Sequence, residues 1–427
     1  MTTRSDIMVL GAGIAGICVA LHLQKRGRQV VLVDRRGAAE ETSFGNAGLV
    51  QREGVYPYGF PHDFGALIRY GLNRTIDAHY HPSALVSLVP FLWQYWQHSR
   101  PARHAEVARK YSKLIERCVA EHDALADEAH AQVFFRRTGW LKIFRTERVR
   151  DLRFAEAKRW HEEFGINYRA LDSSALQKLE PHLASGLSGA VHWSDPISVD
   201  DPQGLALAYL ALFEKLGGRF IQGNAFSLTA EGSAWRIQTA QGPLTAGAAV
   251  IALGPWADVL TRMLGYDLPL AVKRGYHMHY RAAGKAQLHH PLLDTERGYF
   301  LAPMRRGIRL TTGAEFALRD AIKTPVQLGR AEPVARDLFP LAERLDTEPW
   351  MGARPCTPDM LPIIGKAHHH ANLWFDFGHA HHGFTLGPVT GRMLAEMVTG
   401  EAPCVDPRPY SAARFDRKGT RHALICC

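Results

Sequence analysis

Residues 7–34 read IMVL GAGIAG ICVALHLQKRGRQ VVLVD, and the fold turns on them. Residues 7–10 form a short apolar run, 14–24 have helical spacing until Gly27 stops it, and 30–33 form a second apolar run. This predicts a strand, helix and strand joined by the turn Gly11-Ala12-Gly13-Ile14-Ala15-Gly16. Each position has a physical task. Gly11 permits a tight turn, Gly13 lets backbone approach a pyrophosphate, and Gly16 lets the helix pack on the strand. Asp34, at the end of the second strand, can accept hydrogen bonds from ribose hydroxyls. A lone G-x-G-x-x-G is weak, but with both strands, the helix and the terminal acid it indicates a dinucleotide site.

Outward from this unit, two distant segments continue the same architecture. The middle one predicts a helix over 203–216, a strand over 219–222, a hairpin-like stretch to Thr239, then a strand over 248–253 ending in Gly254-Pro255-Trp256. The last predicts a strand over 373–377, a glycine- and histidine-rich loop over 378–386 and a helix over 388–398 closed near Gly400. Strands ending in glycine at a sheet's carboxyl edge sit where ligands bind. The expected fold class is therefore α/β (α+β). A Rossmann-like domain is built from 1–50, 197–267 and 351–427. A substrate domain, inserted as 51–196 and 268–350, is built on an antiparallel or mixed sheet plus helices. The first insertion reads as helix-rich with a strand over 133–144; the second alternates in β fashion over 270–281, 298–302 and 308–314.

Composition narrows the function. With 427 residues, 46% hydrophobic and 22% charged, the chain folds into two or three domains and is not disordered. The net charge of +9 raises nucleic acid as a partner, but the basic excess over 100–159 reads as solvated helix surface without an RNA motif. An acidic partner or anionic membrane is the other reading of that surface. Six cysteines (Cys18, Cys118, Cys356, Cys404, Cys426, Cys427) contain no C-x-x-C pair, which implies reduced thiols and a cytoplasmic address. The N-terminus lacks the pattern of a secretion signal. The apolar window 83–96 contains Pro90 and falls short of the ~20 residues that span a bilayer, so it reads as a core helix, with peripheral membrane contact as the alternative.

Further motifs carry a resemblance. Glu41-Thr42-Ser43-Phe44-Gly45-Asn46-Ala47-Gly48, Val250 to Ala257 (VIALGPWA), Gly313-Ala314-Glu315-Phe316, the run G-A-R-P-C-T-P-D from Gly352 to Asp359 with Pro362-Ile363-Ile364-Gly365, and the closing stretch from Gly378-His379 to Gly391 extend along nearly the whole chain. With the N-terminal turn, they resemble the FAD-dependent D-amino-acid dehydrogenase and glycine oxidase (DAO) family. Two positions depart from that family's pattern: Asp34 stands where it usually has Glu, and the closing loop is richer in histidine. The resemblance implies non-covalent FAD, held first by Gly11, Gly13, Ile14, Ala15, Gly16, Asp34 and Arg35. It extends the cofactor contacts to Thr42, Ser43, Asn46, Ala47, Gly48 and Leu49, then to Gly254 and Trp256. The closing segment adds Gly378, Gly383, Phe384, Thr385 and Leu386. The residues also favour a flavin over a nicotinamide, because the second helix would aim its N-terminal half-charge at the anionic edge of a reduced flavin.

The implied activity is oxidative deamination of an amino acid, foremost a D-amino acid, by hydride transfer from Cα to flavin N5. The imino product would hydrolyse to a 2-oxo acid, and the electrons would pass to a quinone or another acceptor. Alternatives are a secondary amine substrate (hydroxyproline, sarcosine or glycine, an opine) and a catalytically silent flavin-binding subunit. Arg354 has the planar fork that binds a carboxylate bidentately, and it matches the family position for the substrate carboxylate. Tyr276 and Tyr280 share one strand face and His277 and His279 the other, so one face should line the substrate cavity. Tyr276 and Tyr299 are the preferred substrate-contacting tyrosines, and His379 or His382 of the closing loop should face substrate or flavin. His368, His369, His370, His379, His381 and His382 lie close in sequence, yet without a clean carboxylate or helical pair they predict no metal. Cys356 stands at a different offset from the flavin-linking cysteine of sarcosine oxidases, hence the non-covalent expectation.

Overall fold

The computed structural model describes residues 3–416; Cys426 and Cys427 lie outside the described residues. Thr3–Leu10 runs in parallel between Val30–Asp34 and Gly242–Ile251. Along these strands successive side chains enter opposite cores: Val9, Val30 and Leu32 join one, Met8, Leu10, Val31 and Val33 the other. Burial on both faces marks a parallel sheet covered on both sides. Arg219–Glu231 adds in parallel beside Val30–Asp34, then turns through Ala234–Thr239 and Gly242–Ile251 as an antiparallel meander. Leu373–Phe377 adds in parallel on the far side, with Ile363–Lys366 antiparallel outside it. The three sequence-distant segments thus meet in one seven-stranded sheet.

On that sheet the helix Ile14–Lys25 lies against the closing helix Gly383–Thr399 at backbone distance. A Cβ on Gly391 would stand 2.7 Å from the Cys18 carbonyl carbon and 2.8 Å from Val19 N, and one on Gly387 would stand 3.2 Å from Ile14 Cγ1. Glycine is required where the helices touch. The closing helix begins five residues before the expected 388, which assumed Pro388 at its first position. Pro388 instead sits inside the helix and has no N–H for the Phe384 carbonyl one turn earlier. His122 fills the gap: its Nε2 lies 2.9 Å from Phe384 O, and its Nδ1 lies 3.1 Å from the Tyr209 hydroxyl. The helix stops at Gly400, in the left-handed conformation with φ 79°.

Both insertions build one eleven-stranded sheet. Its spine, Ala271–Ala282, pairs antiparallel with Gly307–Thr311, Ala314–Phe316, Leu341–Arg344 and Trp350–Cys356. Tyr299–Met304, Leu292–Asp294, Trp140–Phe144, Gly189–Trp193 and Tyr168–Asp172 continue it. Two boundaries move. The strand expected over 133–144 breaks at Gly139, φ 68°, into Phe135–Arg136 and Trp140–Phe144, which join different sheets. Trp350–Cys356 pairs with the spine, so the segment expected to start the last cofactor piece at 351 begins inside the substrate sheet.

The window 83–96 lies in the helix Pro82–His98, which buries only the stripe Ala84, Leu88, Phe91 and Tyr95. Val86 and Trp93 remain 83% and 60% exposed. Among the described residues no helix is long and apolar enough to cross a membrane.

Three buried imidazoles surround the closing helix. Burial pushes the pKa of His22 down to about 3, helped by the charges of Lys25, Arg26 and Arg392, and burial pushes His122 and His382 down to about 4. An unfolded histidine takes its proton near 6.5, so each group binds more protons unfolded than folded between that value and its folded pKa. Stability from the neutral forms is complete above about pH 6.5 and is lost as pH falls toward 4, at about 1.4 kcal/mol per pH unit per imidazole. Urea unfolding at pH 7, 6 and 5 should show this slope, and a flat profile would contradict it. Replacing His122 with Leu orphans the Phe384 carbonyl and should cost about 1–3 kcal/mol at pH 7, measured as a shift in the urea midpoint.

Candidate active site

A continuous cavity of about 1200 Å³ runs from the Gly11–Ala15 turn to the larger sheet. This exceeds the roughly 300–1,000 Å³ of a small-ligand pocket and has room for a dinucleotide with a substrate. The turn divides labour among its glycines. Gly11 has φ +107°, and a Cβ there would stand 2.4 Å from Ala252 O; a Cβ on Gly16 would stand 1.8 Å from Gly11 O. Both bring strand and helix together. Gly13 has an ordinary φ of −74°, and its Cβ would meet only Ser43 Oγ, at 3.4 Å. Its open side, with Ile14 and Ala15, borders the cavity.

Asp34 closes the second strand, where its carboxylate accepts from Ala12 N at 2.8 Å and Arg36 N at 3.1 Å. The Arg35 guanidinium lies 4.5 Å from the Trp256 ring centre, and both residues border the cavity beside Gly254. Ser43 Oγ accepts from Ile14 N at 2.9 Å, and Thr42 Oγ1 donates to Ala353 O at 2.8 Å. These bonds fix the segment whose Asn46, Ala47 and Leu49 line the next stretch of wall; Gly383 and Phe384 line the opposite side. Five expected contacts stand behind the wall. Gly16 serves helix packing. Gly48 (φ +73°) faces Val199 O, and Gly378 (φ +84°) turns the chain after Leu373–Phe377. Thr385 Oγ1 donates to Leu49 O at 3.1 Å and accepts from Gln51 N at 3.2 Å, while Leu386 lies in the core. They shape the cavity without bordering it.

At the sheet end, strand alternation decides which side chains face the cavity. Lys273 and Gly275 border it from the spine, Arg354 from the strand opposite, and Phe300 and Thr311 from neighbouring strands. Tyr276 and Tyr299 border it too, but their hydroxyls turn to the other face. The Tyr276 hydroxyl donates to Glu315 Oε2 at 2.9 Å and accepts from Thr324 N at 2.9 Å, and Tyr299 donates to Val334 O at 3.3 Å. Tyr280 packs beneath Arg336, its ring centre 5.3 Å from the guanidinium carbon. His277 stacks on Trp350 at 4.7 Å, and His279 Nδ1 lies 2.8 Å from Asp346.

Arg354 lies across Gly275, where a Cβ would stand 2.5 Å from its Nη2. Nη1 donates to Gly313 O at 3.1 Å, and among the described residues the guanidinium forms no ion pair. Burial lowers its pKa, with no carboxylate to offset the loss of water. From the closing loop, His379, His381 and His382 border the cavity. His382 Nδ1 lies 2.8 Å from the Tyr111 hydroxyl, and Nε2 is buried without a partner. His381 stands 4.8 Å from the Tyr58 ring; burial first, then the charges of Arg354 and Lys273, push its pKa well below the usual imidazole value. His379 is bound inward to Thr390, at 3.1 Å, and Asp376, at 3.2 Å. His368 pairs with Asp416 at 3.0 Å, and with His369 the three form a group of potential ligands near the surface.

Lys273, Tyr58 and Tyr95 escaped the sequence expectations. The signal for Lys273 was the same alternation that paired Tyr276 with Tyr280. Tyr58 and Tyr95 lie in stretches without a motif.

The donor set fits a flavin dinucleotide. Gly13 leaves open the approach a pyrophosphate needs, the N-terminus of Ile14–Lys25 offers N–H groups, Asp34 offers a ribose acceptor, and Gly383 brings a second helix N-terminus. The family of FAD dependent oxidoreductases called DAO matches residues 6–397. Over 426 residues the chain is 30% identical to D-amino acid dehydrogenase 2 of Mesorhizobium japonicum, covering 94% of this chain and 98% of that protein. It is 29% identical to a D-amino acid dehydrogenase of Cereibacter sphaeroides, covering 96% and 95%. Glycine oxidase from Geobacillus kaustophilus shares the fold, with a TM-score of 0.74 at 22% identity over 97% of this chain and 100% of that one. The chain belongs to the DAO family of FAD-dependent oxidoreductases, and FAD is its cofactor.

Proposed function

We propose that this enzyme oxidises the Cα–N bond of an amino acid, foremost a D-amino acid, to an imino acid that water hydrolyses to a 2-oxo acid. The observation that carries this reading is Arg354, a cavity-facing guanidinium without an ion-pair partner among the described residues. The two curated relatives are both named D-amino acid dehydrogenases, which supports the stereochemistry. Bound FAD supplies two-electron oxidation. The protein's part is binding, orientation and electrostatics. Arg354 holds the α-carboxylate through Nε and Nη2, and Phe300 and Tyr58 wall the space beside it. Burial lowers the pKa of both His381 and His382, so each stays neutral near pH 7 and can accept or donate a hydrogen bond without adding charge. A neutral substrate amine needs no strong base; the buried Glu53 borders the same cavity with Oε2 unpartnered and its pKa raised by burial.

FAD is held non-covalently in this reading. The Cys356 thiol donates to Arg354 O at 3.5 Å, and burial raises its pKa, which disfavours the thiolate needed for a covalent link. Electrons leave to a quinone or another carrier. The exposed Val86, Val89 and Trp93, at helical spacing on Pro82–His98, supply a face for peripheral contact with a membrane that holds such a carrier.

Anaerobic addition of single amino acids, both enantiomers of each, to the purified flavoprotein tests the activity. A D-amino acid should bleach the flavin, and no change with any amine would support a silent subunit. Reduced enzyme should reoxidise slowly in air and rapidly with a quinone analogue; peroxide yield matching turnover would contradict the acceptor. Gly13→Val strains no backbone and fills only the pyrophosphate side, so it should give folded, colourless protein, checked by flavin absorbance and Tm. Arg354→Met should keep full FAD content while kcat/KM falls ten- to hundredfold, about 1.5–3 kcal/mol.

A further inference from the structure

Lys273 and Arg354 are direct partners across the antiparallel ladder and extend from the same face of the sheet into the cavity. Like charges so placed, roughly 5 Å apart at Cβ, repel. On the reverse face of the same strand the protein solves this problem in the ordinary way: Arg274 Nε meets Glu315 Oε2 at 2.6 Å, both side chains fully buried. Nothing similar is done on the cavity face. Lys273 is 5% exposed, and its Nζ donates to the Tyr95 hydroxyl at 2.7 Å and stands 3.9 Å from that ring's centre. Its other two N–H groups have no acceptor among the described residues. Among the described residues Arg354 meets only the carbonyls of Gly313 and Arg274.

Glu53 borders the same cavity and acts with Arg354 on Tyr58, but among the described residues it forms no ion pair with either cation, and burial raises its pKa toward the neutral acid. Tyr95 spends its proton on the Tyr58 carbonyl, and burial raises its pKa. Burial likewise keeps Cys356 a thiol, and His381, which feels both cations, stays uncharged. Two buried charges with no counter-ion are costly unless a ligand supplies one. An amino acid with a neutral amine and one carboxylate offsets one of them. A second acid group offsets both.

Resting on the amino-acid reading above, we propose that Lys273 selects a substrate with a second carboxylate, an amino dicarboxylic acid of the aspartate or glutamate type. Arg354 holds the α-carboxylate, and Lys273, steadied by Tyr95, holds the side-chain carboxylate.

Two measurements on the holoenzyme test this. The first needs no turnover: glutarate or succinate is titrated against butyrate while the flavin spectrum is followed. Wild type should bind the dicarboxylates at least tenfold more tightly, and Lys273→Met should abolish the difference. The second compares kcat/KM for D-glutamate and D-aspartate with the isosteric D-glutamine and D-asparagine. The acids should lead by at least tenfold, Lys273→Met should collapse the acid-to-amide ratio toward one, and Lys273→Arg should restore it. Flavin content and Tm check that the variants fold. Equal use of acids and amides, an equal loss on both in Lys273→Met, or an effect confined to flavin reoxidation would overturn the proposal. Tight dicarboxylate binding that depends on Lys273, with no amino acid reducing the flavin, would uphold the second-acid site and refute the amino-acid reading.

Discussion

The contact between Ile14–Lys25 and Gly383–Thr399 is the constraint on which the site depends. Gly387 and Gly391 let the two helices meet at backbone distance, so their N-termini open into the same cavity. Each terminus carries about half a positive charge, and bringing two together is unfavourable until an anionic group lies between them. The pyrophosphate and the reduced flavin edge are such groups. A Cβ at Gly391 would press on the facing backbone and push the helices apart, whereas one at Gly387 would require Ile14 to shift slightly.

His122 extends this dependence to the first insertion. It replaces the hydrogen bond that Pro388 cannot donate, and burial keeps it neutral so that one nitrogen is free to act as acceptor toward Tyr209. The insertion therefore holds the start of the closing helix, as well as covering the cofactor. Cofactor and substrate pieces are joined through the helix that links flavin and substrate.

The larger sheet treats its two faces differently. Behind it, Arg274, Glu315, Tyr276 and Thr324 satisfy one another in a dry layer. In front, Arg354 and Lys273 have carbonyls and a phenol but, among the described residues, no carboxylate partner. A buried cation lacking its counter-ion is destabilising in the empty protein, and an anionic ligand recovers that free energy on binding. The rear layer holds the strand rigid enough for the front to keep this arrangement.

The strand–helix–strand unit, the need for glycine at positions 11 and 16, and the meeting of three distant segments in one sheet were legible in the chain. These rest on local periodicities and on residue chemistry that no partner can change. Only the tertiary structure decided that the closing helix starts at Gly383, because its missing hydrogen bond is supplied by His122, 262 residues earlier in the chain. Likewise, alternation showed that Tyr276 and Tyr280 share a face, but not which face meets the cavity. Tyr276 turns its hydroxyl to the reverse face because the register of the ladder sets Lys273 and Arg354 opposite each other on the cavity face, and Tyr299 does so because its neighbour Phe300 faces the cavity. Register is a long-range pairing, and the charge it places across from a lysine is written nowhere near that lysine in the chain.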